Sequence, residues 1–469
     1  MFGIVLSLLL LMYLAYRGIS VLILAPLLAL LAAALSGAPI LGSYTQVFME
    51  GLANYVRQFF PLFLLGAVFG KLMEVSGSAR SLATGITARL GAQRSAMAVV
   101  LACGILTYGG VSLFVVAFAV YPIAAALFVA ADHPKRLIPA ALALGSFTFT
   151  MTAVPGTPAI QNAIPSPYFG TDGFAAPVLS LLAALIMFGG GILWLNRRIA
   201  AAHARGEGYG IEDQYSRAGP LATEGHGDGR GAHDLPGFWI AIAPVVLVIA
   251  MNFAMSRWVL PALDTGYLAD EAYGATTLGA VRGIWAIIVA LFAAIVLLIA
   301  LNWGRLRGDL KGSLTDGVAG SFLPIFNTAS EVGYGSVIAS LPAFAVIAGA
   351  VTGFWPSNPL VSEAVAVNAL AGITGSASGG LSIALETLGA RYAELAQAAG
   401  ISPQLMHRVA ALSSGGFDCL PHNGAVITLL AVTGLNHRQS YGDIFVVAVA
   451  VPVLALVTVI VLGSTVGTF

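Results

Sequence analysis

Apolar runs recur along this chain from Ile4 to Leu462, and several exceed the roughly 20 residues that cross a bilayer core as α-helix. Of 469 residues, 58% are hydrophobic and 9% charged, against roughly 25% charged in a soluble domain. Too little polar surface exists to cover a water-soluble fold, so the sequence predicts an all-α polytopic membrane protein. Lys plus Arg and Asp plus Glu balance at 21 each, which offers nothing to nucleic acid or to an acidic partner. Cys103 and Cys419 lie inside apolar stretches and read as small buried thiols, not as a disulfide or metal pair. Met1 to Ala15 lacks a basic start and a small-residue cleavage site, so it reads as a retained helix.

One polar interval, 196–236, interrupts the pattern with Arg197, Arg198, Arg205, Arg217 and Arg230 among Gly and acidic residues. It reads as a solvated linker between two halves. Two plain spans follow, about Phe238–Met255 and Arg282–Asn302, and then a basic turn with Arg305, Arg307 and Lys311. Two crossings put both basic stretches on one side, which the positive-inside rule makes cytoplasmic. The segment with Asp264, Asp270 and Glu271 then falls outside.

The halves resemble each other in three places. Glu50–Phe63 parallels Asp316–Phe326, Leu106–Ser112 parallels Ser376–Ser382, and Val154–Asn162 parallels Leu420–Thr428. All three matches keep the same order and nearly the same offset, which points to an internal duplication. In the first half, basic residues flank Ser95–Ala131 on both sides, and the stretch is interrupted at Tyr108-Gly109-Gly110. It therefore reads as a re-entrant hairpin. Leu137–Ile164 then crosses outward with a break at Pro155-Gly156-Thr157-Pro158. The second half begins on the cytoplasmic side, so the same path runs upside down, as an inverted-topology repeat.

The predicted organisation follows: N-terminal scaffold helices in 1–48, and a first repeat in 49–195 with a hairpin about 95–131 and a broken helix about 137–164. The cytoplasmic linker 196–236 and scaffold helices 237–302 come next. The inverted second repeat spans 312–469, with its hairpin tip about 375–382 and a broken helix about 404–434.

A broken helix in lipid leaves backbone N–H and C=O groups that protein, water or ligand must satisfy. Two hairpin tips and two unwound segments, Pro155–Pro158 and Asp418–Asn423, are therefore the candidate site. Half-helix N-termini after each break would suit a carboxylate. The candidate substrate-binding residues are Thr107, Tyr108, Gly109, Gly110, Ser112, Thr157, Gln161, Asn162, Ser376, Ser378, Gly379, Gly380 and Asn423. Ala153 and Val154 give the pocket an apolar side. Small residues also kink and pack membrane helices without any ligand, and that reading holds for any one of them alone. Four breaks paired by symmetry favour a site.

Ionisable groups at membrane depth are costly and mark function. Asp418, His422 and Glu331 are the candidates for a coupling proton, His422 because it titrates near neutrality. Asp418 as a helix cap and His422 bonded to a carbonyl remain equally open. Glu74, near Lys71 and Arg80, reads as a membrane-edge ion pair, and Glu363 and Glu386 as outer ends of the second hairpin. The sequence holds no phosphate loop, dinucleotide fingerprint, metal spacing or nucleophile elbow. No cofactor is expected, and transport would draw on a gradient. A channel or a membrane-embedded enzyme are the rival classes.

Gly66–Ala83, Tyr108–Ala124 and Gly415–Phe445 resemble the gluconate permease (GntP-type) family of the ion transporter superfamily. The resemblance spans nearly the whole chain except the linker. It implies a secondary transporter of a bacterial-type inner (plasma) membrane that carries small organic-acid anions with protons. It also implies a scaffold plus a transport domain that works by an elevator motion in a homodimer. The uncharged tip around Tyr108 and the segment Leu420–Asn423 look closest to the 3-hydroxybutyrate permease branch.

Overall fold

The computed structural model describes residues 2–17, 19–91, 94–111, 113–210, 235–355, 357–421 and 423–467. Ser112, His422 and linker residues 211–234 lie outside the described residues. The described chain is helical. α1 (Phe2–Tyr16) and α2 (Val21–Leu35) precede α3 (Ile40–Val75) and the amphipathic α4 (Ser78–Leu90). α5 (Ser95–Tyr108) and α6 (Leu113–Ala130) are followed by α7 (Ile138–Ser146) and α8 (Pro177–His203). Past the linker come α9 (Phe238–Ala262), α10 (Leu278–Leu301), α11 (Leu310–Ser340) and α12 (Phe344–Thr352). α13 (Pro359–Thr374), α14 (Ala377–Ala398), α15 (Pro403–Ser414), α16 (Gly424–Thr433) and α17 (His437–Thr465) complete the chain. Length and composition suit α3, α8, α9, α10 and α17 to crossing a membrane.

α3 and α11 form the spine. A Cβ on Gly317 would lie 2.8 Å from Val68 Cα, and one on Gly333 would lie 2.7 Å from the Phe48 carbonyl oxygen. Glycine thus lets the two backbones approach closely, as in other membrane helix pairs. Contacts descend along α11 as they ascend along α3, so the pair is antiparallel. The Phe60 and Phe322 rings stack at 6.2 Å between centroids, one residue before Pro61 and two before Pro324. The first of the three matched sequence pairs therefore packs onto its own counterpart. α1 and α2 lean on the far end of α11, where Ile4, Leu11, Leu24 and Leu28 pack with Tyr334, Val337 and Ile338. Ser7 Oγ meets Tyr334 Oη at 2.8 Å.

The α5–α6 and α13–α14 pairs each fold back across a short turn. Gly110 has φ +90° and Gly375 φ +64°, a left-handed conformation that glycine adopts without strain. A Cβ on Gly380 would overlap the backbone of Ala371, so only glycine lets α14 lie this close to α13.

Three expectations need correction. The predicted outward helix 137–164 is not one helix with one break. α7 ends at Ser146, Thr148 is non-helical, and only four-residue turns, Phe149–Thr152 and Ile160–Ala163, follow. Pro155, Pro158 and Pro165 fall within 11 residues and remove the donors a continuous helix would need. Gly379 and Gly380 lie inside α14, because the turn closes at Gly375-Ser376. The linker starts later than 196, since α8 continues to His203 and uses Arg198 for an ion pair with Asp443. Glu363 does stand near the start of α13, at the end away from the turn, but it is fully buried there, and neither carboxylate oxygen has a hydrogen-bond partner among the described residues.

Candidate functional site

Each hairpin tip is tied to the unwound segment of its own half. At the first, Tyr108 Oη donates to the Pro155 carbonyl at 2.6 Å, and Gly110 faces Pro158. At the second, Asn423 Nδ2 donates to the Gly375 carbonyl at 2.7 Å. The halves join where a Cβ on Gly415 would lie 2.6 Å from Thr152 Cγ2. Thr107, Tyr108, Thr157 and Asn162 thus belong to one neighbourhood, and Gly375, Ser376 and Asn423 to its counterpart.

The carbonyls freed by the first break are largely taken by protein. Arg408 on α15 is fully buried and donates to the carbonyls of Thr152, Gly173 and Ala175 at 2.9 to 3.2 Å. Asn162 Nδ2 donates to Thr157 and Gly173, both at 3.0 Å, and His407 Nδ1 meets Thr171 Oγ1 at 2.6 Å. A guanidinium with five fixed donors suits this clustering of loose carbonyls. α15, from one half, therefore holds the irregular backbone of the other.

The expectation of open half-helix N-termini at both breaks is corrected too. After the first break only the four-residue turn Ile160–Ala163 follows. After the second, α16 begins at Gly424, but the Asn423 carboxamide accepts from Ala425 N and Val426 N at 2.6 and 2.9 Å. The cap occupies donors that a bare helix end would present to an anion.

Unpaired oxygens gather at the second tip. Glu331 on α11 is 3% exposed, and its Oε2 has no hydrogen-bond partner among the described residues. Its carboxylate lies over Gly379, where a Cβ would overlap it. Ser376 Oγ is committed to capping α14 through Gly379 N at 3.0 Å. Ser378 Oγ meets Thr328 Oγ1 at 3.3 Å. Tyr55 Oη, Ser382 Oγ and Asn327 Oδ1 are also buried without a hydrogen-bond partner among the described residues, and Tyr55 neighbours Ser382, Glu331 and Thr328. Asn327 and Glu331 share one face of α11 at i, i+4 spacing. Glu331, Ser376, Ser378 and Gly379 therefore fall in one buried polar cluster with Tyr55, Thr328 and Ser382, and Asn327 stands one turn before Glu331 on α11.

Asp418 is 5% exposed and its Oδ1 has no hydrogen-bond partner among the described residues. It stands in the turn Phe417–Cys419 beside α13, where a Cβ on neighbouring Gly416 would lie 3.1 Å from the unpaired Asn368 Oδ1. Thr107 Oγ1 at the first tip is likewise buried without a hydrogen-bond partner among the described residues. Gln161 is buried on the short turn after the first break. Gly109 packs on Val245 of α9.

Sequence reasoning missed Arg408 and His407, although the rule that selected Asp418 applies to them: both sit in an otherwise apolar helix. Among the described residues no three His, Cys, Asp or Glu side chains converge as metal ligands would.

Comparison with known proteins decides the family. The GntP family permease model matches residues 1–419. This chain belongs to the GntP permease family. It is 44% identical over 472 residues to the transporter YxjC of Bacillus subtilis (strain 168), covering 99% of this chain and 98% of that one. YxjC extends the likeness through the second broken helix, past the end of the family match. The fold is similar to two solved transporters. One is YdaH of Alcanivorax borkumensis, with TM-score 0.55 and 16% identity over 88% of this chain and 86% of that one. The other is MtrF of Neisseria gonorrhoeae, described as an antimetabolite efflux pump, with TM-score 0.54 and 14% identity over 88% and 82%. The permease is a membrane transporter, and its family and relatives are not enzymes.

Proposed function

We propose that this permease carries a small hydroxy-monocarboxylate, of the size of 3-hydroxybutyrate or gluconate, together with a proton across the inner (plasma) membrane. The observation that carries this reading is that each helix-pair turn is hydrogen-bonded to the irregular segment of its own half, Tyr108 to Pro155 and Asn423 to Gly375, with the buried acids Glu331 and Asp418 in the second half. Thr107, Ser378 and Gln161 offer the neutral donors that a carboxylate and a hydroxyl need, and Ala153 and Val154 the apolar wall. Asp418 travels with the second unwound segment, and Glu331 meets the second tip from α11. Binding an anion and a proton together cancels charge before the site crosses the apolar barrier, which is the expensive part of carrying ions through lipid.

In this reading α5–α6 and α13–α14 are re-entrant hairpins that move with the broken helices, and α1, α2, α9 and α10 belong to a fixed scaffold in a homodimer. The antiparallel crossing of α3 and α11 at Pro61 and Pro324 supports an inverted repeat. A sodium-coupled variant has one observation in its favour: the unpaired groups around Glu331 are all oxygens, which suits a hard cation. The identity of the substrate is tested by a thermal-stability screen of the purified permease with short hydroxy acids, sugar acids and D-amino acids. Stabilisation by hydroxy-monocarboxylates, growing with concentration as linkage requires, is expected. Stabilisation by neutral compounds alone would remove the carboxylate assignment.

A further inference from the structure

Arg257 and Arg282 break the charge pattern of the chain. They flank the loop 263–277 between α9 and α10, the loop placed outside by the positive-inside pattern, where Lys and Arg are disfavoured. Both guanidiniums face a single carboxylate: Arg257 Nη2 is 3.7 Å from Asp172 Oδ1, and Arg282 Nη2 is 3.4 Å from Asp172 Oδ2. Asp172 is 3% exposed, because the chain around it is laid on α10 at Gly283, where a Cβ would lie 3.4 Å from Asp172 Cα.

These contacts leave the ion cluster incomplete. Asp172 Oδ1 already accepts from Phe174 N at 2.9 Å. Asp172 Oδ2 and Arg282 Nε are buried without a hydrogen-bond partner among the described residues. His407 is bonded to Thr171, the neighbour of Asp172 in the chain. Two guanidiniums therefore share one acid, and the cluster holds surplus positive charge. A cavity of about 60 Å³ opens beside it, lined by Thr171, Asp172, Arg257, Arg282 and Gln404 among others.

We propose that Arg257 and Arg282 form an anion-capture subsite at the outer mouth of the permease. It takes the carboxylate head of a small organic acid before the acid reaches the hairpin tips. Guanidinium forks match carboxylate geometry and remain charged at any working pH. Clustered positive charge at a cleft raises the local concentration of anions by roughly 10-fold or more. Asp172 competes with the incoming anion and returns to the pair after it passes inward, which keeps the subsite from trapping its guest. The subsite rests on the carboxylate reading given above, and its test separates the two.

Labelled 3-hydroxybutyrate and gluconate are the probes, with uptake measured into vesicles carrying full-length permease in its native orientation. Arg257→Gln and Arg282→Gln should each raise KM about 5- to 10-fold at low ionic strength and leave the maximal rate within about twofold. At about 0.5 M salt, where screening acts over a few ångströms, the difference should fall below about twofold. Arg257→Lys and Arg282→Lys keep the charge and should recover most of the native KM. A native KM in the Gln variants at low salt overturns the subsite. So does a rise in KM that is the same at both salt concentrations and that Lys does not rescue, which marks a packing role. Native permease that takes up neither probe overturns the carboxylate reading itself.

Discussion

Gly379→Ala distinguishes a binding pocket from an ordinary helix pair, because the two readings predict opposite signs. Gly379 lies in the first turn of α14, and Gly to Ala inside a helix normally stabilises by about 1 kcal/mol. Here the new Cβ would overlap the Glu331 carboxylate and lie 2.9 Å from Ser376 Oγ, the α14 cap. Overpacking of this kind costs about 1–3 kcal/mol. The carboxylate ends a flexible side chain and can swing away, so the net cost to the fold is about 0–2 kcal/mol and the protein survives. The pocket does not, since Glu331 no longer faces the tip. Driven uptake in proteoliposomes should fall at least about 10-fold, equivalent to about 1.4 kcal/mol, while thermal unfolding in detergent shifts only modestly. Gly320→Ala on α11, where a Cβ meets nothing within 4 Å, is the control and should keep native uptake. Native uptake in Gly379→Ala would refute the pocket.

Asn423→Ala removes the α16 cap and the bond to the Gly375 carbonyl, and should lower stability by about 1–2 kcal/mol together with uptake; thermal unfolding and transport of the same preparation check both. Arg408→Gln leaves buried carbonyls without donors and should destabilise by about 3 kcal/mol or more, with Arg408→Lys recovering only part, as read by yield and unfolding temperature. At the linker end, a hydrogen bond from Arg136 holds the Glu207 carboxyl below the usual carboxylate range. That contribution is present above the unfolded value of about 4.3 and is lost as pH falls through the lower folded value. Glu207→Gln should therefore unfold earlier than native at pH 7, and the gap should close as the pH is brought below about 4; a gap that persists in acid assigns the effect to packing.

Much of the fold was legible because lipid imposes a simple rule. Long apolar runs became helices at α8, α9 and α10, and basic flanks with glycines gave the α5–α6 turn near Gly109 and Gly110. The paired matches worked because each centres on residues that cannot continue a helix. Boundaries were harder: nothing in Asn196 to His203 signals that α8 goes on, because what holds it there is Arg198 reaching Asp443, 245 residues away in sequence. The collapse of 137–164 into short turns was hidden for a similar reason. Three prolines predict a break, but its extent depends on Arg408 being present to collect the carbonyls. Of the site, the acids Glu331 and Asp418 were readable as charges at membrane depth. Their companions were not, since Tyr55 and Asn327 come from α3 and α11 and only the crossing of those helices brings them to the tip.

Uptake of labelled 3-hydroxybutyrate into proteoliposomes, with a pH gradient or a sodium gradient imposed separately, tests the central claim most directly. The account predicts accumulation when the interior is alkaline, abolished by Glu331→Gln and by Asp418→Asn, and unchanged by sodium. Accumulation that follows sodium and ignores the pH gradient, or that persists in both variants, would contradict it.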